Sequence, residues 1–211
     1  SCKGVCKRVE TIDFNPSRDP KLCDGDYCYD EVLVDLLRET LSRPSKEHRV
    51  IVLHMIGSHG PTYYRRYPEK FAKFVPDCPR SDIQNCEEAE LTNTYDNTIA
   101  YTDYVLGQII EQLATIPNSS MLYLSDHGES LGENGLYLHG FPYNLAPVEQ
   151  THVPMVYWAS KFSQPQYSDC VNSLSSHPYS QDNLFDTLLG LTNVQSSTYQ
   201  PTQDILRKCE S

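Results

Sequence analysis

Two short apolar runs, each closed by a small residue and followed at once by a polar loop containing histidine, constrain this chain more than any other feature. Val50-Ile51-Val52-Leu53-His54-Met55-Ile56 ends at Gly57, with His59 just beyond, and Met121-Leu122-Tyr123-Leu124 ends at Ser125, ahead of Asp126 and His127. Short, bounded apolar runs of this kind read as buried strands of a parallel sheet. Between them Leu91, Tyr95, Ile99, Thr102, Leu106, Ile109, Leu113 and Ile116 recur at three- and four-residue steps, which predicts a long amphipathic helix stopped at Pro117. Asp30 is placed to cap an earlier helix with Leu33, Leu36, Leu37 and Leu41 on one face, ending before Pro44. Residues 153–158 read as a further strand, near an edge because Pro154 cannot donate to a ladder. Ser180 is placed to cap a helix carrying Leu184, Phe185, Leu188 and Leu189 up to Gly190. Alternating strand and helix predict an α/β fold, a mostly parallel sheet flanked by helices on both faces. Ligands of such sheets bind beyond the carboxyl ends of the strands, so His59 and the Asp126-His127 pair are expected to meet.

The remaining segments read as loops. Residues 1–29 form a bridged loop with a short strand near Val9, residues 63–86 an excursion over the surface, and residues 128–150, with four Gly and two Pro, a long loop past a strand end. With 211 residues the chain has room for one substantial core, and residues 1–211 are read as one domain. A formal charge of -11 leaves no clustered positive surface for polyphosphate, so nucleic acid is not an expected partner. Eight Cys point to an oxidising compartment. Their spacing pairs Cys2 with Cys6, Cys23 with Cys28 and Cys78 with Cys86, which leaves Cys170 for Cys209. No run reaches the roughly 18 apolar residues of a membrane span, and the chain opens on a Cys-rich loop rather than a signal peptide. The sequence therefore reads as part of something larger, with any targeting element or anchor upstream.

Asp126 and His127 offer a carboxylate and an imidazole at one strand end, and Gly128 removes the Cβ that would crowd the loop. Zinc accepts both donors at about 2.0 to 2.2 Å. An isolated Asp-His-Gly would more simply start a helix, but His139, in Tyr137-Leu138-His139-Gly140, adds a third ligand-type residue on the same loop. His59, in Gly57-Ser58-His59-Gly60-Pro61, stands in a turn built for close backbone approach and is read as a phosphate contact or a ligand of a second metal. His54 lies inside its strand and reads as a hydrogen-bonded core imidazole, whereas His48, His152 and His177 carry no expectation.

The strings Ile56-Gly57-Ser58-His59-Gly60-Pro61 and Tyr123-Leu124-Ser125-Asp126-His127-Gly128-Glu129-Ser130-Leu131-Gly132-Glu133-Asn134-Gly135 resemble the lipid A phosphoethanolamine transferases, which include the mobile colistin resistance enzymes. Asn93-Thr94-Tyr95-Asp96-Asn97, Thr151-His152-Val153-Pro154-Met155 and Ser180-Gln181-Asp182-Asn183-Leu184-Phe185 match as well, so the resemblance covers essentially the whole chain. It implies an alkaline phosphatase/sulfatase-like fold, incomplete at its N-terminal side. It also implies a zinc enzyme anchored at the periplasmic face of the bacterial inner membrane. Such an enzyme moves phosphoethanolamine from phosphatidylethanolamine to a lipid A phosphate through a phosphothreonine, lowering surface negative charge and conferring polymyxin and colistin resistance. By the same resemblance Asp126 and His127 are ligands of the tightly bound zinc, and His59 and His139 face the phosphoryl group or a second zinc. The family's remaining zinc ligand, a Glu, and its Thr nucleophile precede anything matched here. The chain alone is therefore expected to be inactive. A sulfatase or phosphoglycerol transferase of the same superfamily, and a non-catalytic disulfide-stabilised fragment, are the alternatives.

Overall fold

In a computed structural model that describes residues 7–13, 19–45 and 48–209, the chain runs through helices α1 (Glu31–Ser42) and α2 (Glu88–Leu113), strands β1 (Ser120–Leu124), β2 (Ser130–Leu131) and β3 (Tyr137–Leu138), helix α3 (Val148–Thr151), strand β4 (Met155–Ala159), and helices α4 (Pro165–Leu174) and α5 (Asn183–Leu191). It divides into two units. The first comprises Ser1–Ser45, Leu53–Gln112 and Leu124–Met155, and the second comprises Lys46–Val52, Leu113–Tyr123 and Val156–Ser211. No helix among the described residues is long and apolar enough to cross a membrane.

In the first unit α2 buries Leu91, Thr94, Asn97, Thr98, Tyr101, Thr102, Val105 and Ile109, while Ile99 is exposed. The buried face therefore carries more hydroxyl and amide groups than the apolar periodicity suggests. These groups hold the preceding segment. Asn97 Oδ1 accepts the Lys73 and Phe74 N–H groups at 2.8 and 2.9 Å, its Nδ2 donates to Phe74 O at 2.9 Å, and Thr94 Oγ1 accepts the Cys78 N–H. Residues 63–86, read as a surface excursion, thus pack onto α2 and bury Tyr63, Tyr67, Phe71 and Ile83 through three short 3-10 turns. Cys78 and Cys86 are bridged there, and Cys23 and Cys28 near α1, whereas Cys2 and Cys6 lie outside the described residues. Tyr63, Ile83 and Leu91 form a core cluster against which Tyr95, Leu131, Tyr137 and Leu138 pack. The anticipated loop 128–150 contains the antiparallel hairpin β2–β3, with Ser130 opposite Leu138, and α3. No strand lies near Val9 among the described residues.

The run Val50–Ile56 is not in a ladder among the described residues. Val50 and Val52 are 69% and 86% exposed, and His54, read as a core imidazole, is exposed too. Local apolar content proposes a strand, but only neighbouring strands bury one.

In the second unit β1 pairs with β4, and the Ser160 N–H bond to Ser119 O sets the end of β4 beside the start of β1, an antiparallel arrangement. A parallel sheet is not among the described ladders. Helix α4, with Pro165 at its first turn where the missing N–H costs nothing, is an element the sequence reading did not include, although Tyr167, Cys170, Val171 and Leu174 fall on one face. A disulfide joins its Cys170 to Cys209. Helix α5 starts after Asp182 rather than Ser180 and runs through Gly190. It buries Asp186 and Thr187, which accept the Gln200 and Ile205 N–H groups, and leaves Phe185 and Leu188 exposed.

Candidate metal centre

The site begins where β1 ends. Ser125 Oγ donates to His127 O at 2.8 Å, and the Gly128 N–H donates to Gln150 O at 3.0 Å, carrying the chain close past α3. A Cβ on Gly128 would stand 1.9 Å from Glu149 O, so this approach admits only glycine. Glu129 then turns inward, with its side chain 3% exposed. Its Oε1 accepts the Gly60 N–H at 3.1 Å and faces His139 Nδ1 at 3.0 Å, while its Oε2 accepts the Tyr63 hydroxyl at 3.2 Å. Burial, reinforced by the Glu129 charge, pushes the Tyr63 phenol far above its ordinary range, so it remains a donor. Glu129 therefore ties together three segments: the His59 turn, the Tyr63 turn and the end of β3.

His59 stands in a turn closed by its N–H bond to Ile56 O, and it is itself exposed. Space beside it is tight, because a Cβ on Gly60 would lie 2.5 Å from Leu138 Cδ2 and 2.6 Å from the Tyr63 hydroxyl. His139 follows Leu138, whose φ of 65° is left-handed, a conformation that costs a leucine roughly 1–2 kcal/mol and that clusters at functional sites.

These segments bring three imidazoles together. The ring centroids of His127 and His139 are 3.9 Å apart, those of His59 and His139 5.1 Å, and those of His59 and His127 6.1 Å. In each ring Nδ1 faces an oxygen that can only accept: Gly60 O at 2.7 Å for His59, Gly128 O at 3.0 Å for His127, and Glu129 Oε1 at 3.0 Å for His139. The neutral rings therefore carry the proton on Nδ1 and a lone pair on Nε2, the tautomer a metal or phosphate site uses.

Asp126 lies at the rim with its side chain 90% exposed, and its Oδ1 is 3.8 Å from His127 Nε2. Two donors of a tetrahedral zinc at about 2.0 Å stand roughly 3.3 Å apart, so a small rotation brings this pair to one ion. Ligand atoms of His127, Glu129 and His139 also fall within 4.8 Å of one another. Both Glu129 oxygens already serve protein donors in a buried setting, which suits an outer group that orients His139 better than a direct ligand. The donor set of imidazole nitrogen and carboxylate oxygen fits zinc. His48, His54, His152 and His177 are exposed and take no part in the cluster. Sequence reasoning assigned no role to Glu129 or Tyr63. The only available signal was an acidic residue one step past an obligatory glycine.

The sulfatase family model matches residues 2–194. Phosphoethanolamine transferase EptA of Salmonella typhimurium is 50% identical over 99% of this chain and 39% of its own length. Phosphatidylethanolamine transferase Mcr-1 of Escherichia coli is 36% identical over 97% of this chain, again 39% of its own length. The crystal structure of the soluble domain of lipooligosaccharide phosphoethanolamine transferase A from Neisseria meningitidis superposes with a TM-score of 0.91 at 43% identity, covering 99% of this chain and 64% of that one. The chain thus spans about two fifths of the curated relatives it matches. By the family match and these likenesses, the chain belongs to the sulfatase family and has the alkaline phosphatase/sulfatase-like fold of its phosphoethanolamine transferases.

Proposed function

We propose that this chain supplies the metal-binding and phosphoryl-facing side of a phosphoethanolamine transferase site. The observation that carries the reading is the convergence of His59, His127 and His139, each with its Nε2 lone pair available, beside the Asp126 carboxylate. Zinc held by Asp126 and His127 would acidify a hydroxyl nucleophile and offset the charge of the transferring phosphoryl group. His59 and His139 face the phosphoryl oxygens, where an imidazolium steadies the charge or returns a proton to the departing alkoxide. A second zinc on that side is the other use of the same two rings. Glu129 holds His139 by its Nδ1 proton throughout.

In this reading phosphatidylethanolamine is the donor and a lipid A phosphate the acceptor. A threonine attacks the donor phosphorus, the bond to diacylglycerol breaks, and the acceptor phosphate then takes the phosphoethanolamine from the phosphothreonine. No motif of this chain supplies that threonine, and the chain alone does not turn over. The enzyme acts at the periplasmic face of the inner membrane. Covering a lipid A phosphate lowers surface negative charge, which weakens attraction for cationic polymyxins and colistin. The lipid assignment is supported by the stretch that follows His139. Residues 140–148 carry no charge and expose Phe141, Tyr143, Leu145 and Val148, a surface compatible with an apolar substrate.

Calorimetric zinc titration tests the metal assignment. Asp126→Ala and His127→Ala each remove a direct ligand and are expected to weaken binding by at least the roughly 10- to 100-fold that losing a group orienting a ligand costs. Zinc affinity unchanged in both variants would overturn it.

A further inference from the structure

Five consecutive residues leading into the site, Ile56 to Gly60, are each held by a buried side chain from elsewhere in the chain. Asp30 Oδ1 accepts the Ile56 N–H at 2.9 Å and Oδ2 the Gly57 N–H at 2.8 Å. Ser58 Oγ pairs with Thr98 Oγ1 at 2.6 Å, Arg66 Nε donates to His59 O at 2.9 Å, and Glu129 accepts the Gly60 N–H. Asp30, Thr98, Arg66 and Glu129 are 8%, 1%, 6% and 6% exposed.

Asp30 and Arg66 lie outside the metal centre, and both commit buried charged groups to this turn. Asp30 stands at the start of α1, where a carboxylate ordinarily caps its own helix, yet it makes no capping bond there and spends both oxygens on the distant turn. Arg66 buries a guanidinium beside the Tyr27 ring, 5.1 Å from its centroid, and commits Nε to a single carbonyl. Burying a carboxylate and a guanidinium carries a desolvation cost for each that a plain turn would avoid. Arg66 thus holds the peptide plane that follows His59, and Asp30 holds the Ile56–Gly57 plane, whose Ile56 carbonyl accepts the His59 N–H at 3.3 Å. The ring depends on this frame one peptide further on, because its Nδ1 faces Gly60 O at 2.7 Å, the carbonyl that follows the plane Arg66 holds.

We propose that Asp30 and Arg66 are positioning residues that set the His59 imidazole, its Nδ1–H tautomer included, toward the phosphoryl side of the site. The catalytic importance of that setting rests on the function proposed above. Arg66→Lys keeps the charge and stem but has no donor at the Nε position, and Asp30→Asn keeps the shape but leaves one oxygen for two N–H groups.

The test is long-range proton–nitrogen correlation NMR of the histidine rings in the metal-free chain at about pH 8, where imidazoles are neutral. In each variant the ratio of Nδ1–H to Nε2–H tautomer at His59 should fall by about tenfold, the equivalent of one hydrogen bond, while His127 and His139 keep their signatures. Arg65→Lys, a change at the neighbouring residue that pairs with Asp24, should leave all three rings unchanged. His59 signals matching the unsubstituted chain in both variants, or equal shifts in all three histidines, would overturn the proposal. Loss of fold in both variants would do the same, since the two residues would then be merely structural. The readout is the ring rather than turnover or zinc, so failure here leaves the metal assignment standing, and failure of zinc binding leaves this result standing.

Discussion

Between His127 and the buried Glu129 stands Gly128, whose missing Cβ lets the chain pass against the Glu149 carbonyl. Gly128→Ala must push α3 and the metal loop apart. Overpacking of this kind costs about 1–3 kcal/mol, and here it should also weaken zinc binding by displacing the adjoining ligand His127. Urea unfolding together with zinc titration measures both effects, and a variant unchanged in each would contradict the packing described. At this scale Asp126, His127, His59 and His139 could be singled out from the sequence, because each sets a ligand-type side chain beside a glycine or at a strand end. Glu129 could not. Its importance comes from an inward turn and three bonds to residues distant in sequence, and one-dimensional spacing records neither.

Among the elements, α2 shows how far periodicity reaches. Its existence and approximate bounds follow from apolar spacing, but that spacing hides the Thr and Asn residues lying within the buried face. Asn97 is fully buried and bonds to both Lys73 and Phe74, so Asn97→Ala leaves two N–H groups and a carbonyl without their partner. At about 1 kcal/mol for each lost bond, the variant should lose roughly 2–4 kcal/mol. Chemical denaturation reads this directly, and a loss below about 0.5 kcal/mol, the level of an ordinary surface change, would show that α2 does not anchor residues 73–78. Helix α4 went unread although Tyr167, Cys170, Val171 and Leu174 follow the helical period, because that stripe spans only two turns and one of its members, Cys170, is defined by its bridge to Cys209. Val50–Ile56 misled in the opposite direction. Its composition is that of a buried strand, yet burial is decided by neighbours that a local window does not contain.

For the whole molecule, charge and cysteine content narrow the setting more than the chemistry. A chain of net charge -11 with three disulfides among the described residues suits an oxidising compartment and disfavours polyanionic partners. Membership of the sulfatase family brings the fold, and the likeness to phosphoethanolamine transferases brings the proposed substrates, but fold alone hosts many reactions. The chemistry rests on the cluster in the first unit. The most direct measurement of that claim is an anomalous difference map, recorded at the zinc absorption edge, from crystals of this chain equilibrated with zinc. The account predicts a peak within about 2.0 to 2.2 Å of an Asp126 carboxylate oxygen and of His127 Nε2, with His139 and His59 facing the open side. A map with no peak there, or with zinc only at sites remote from His127, would contradict it.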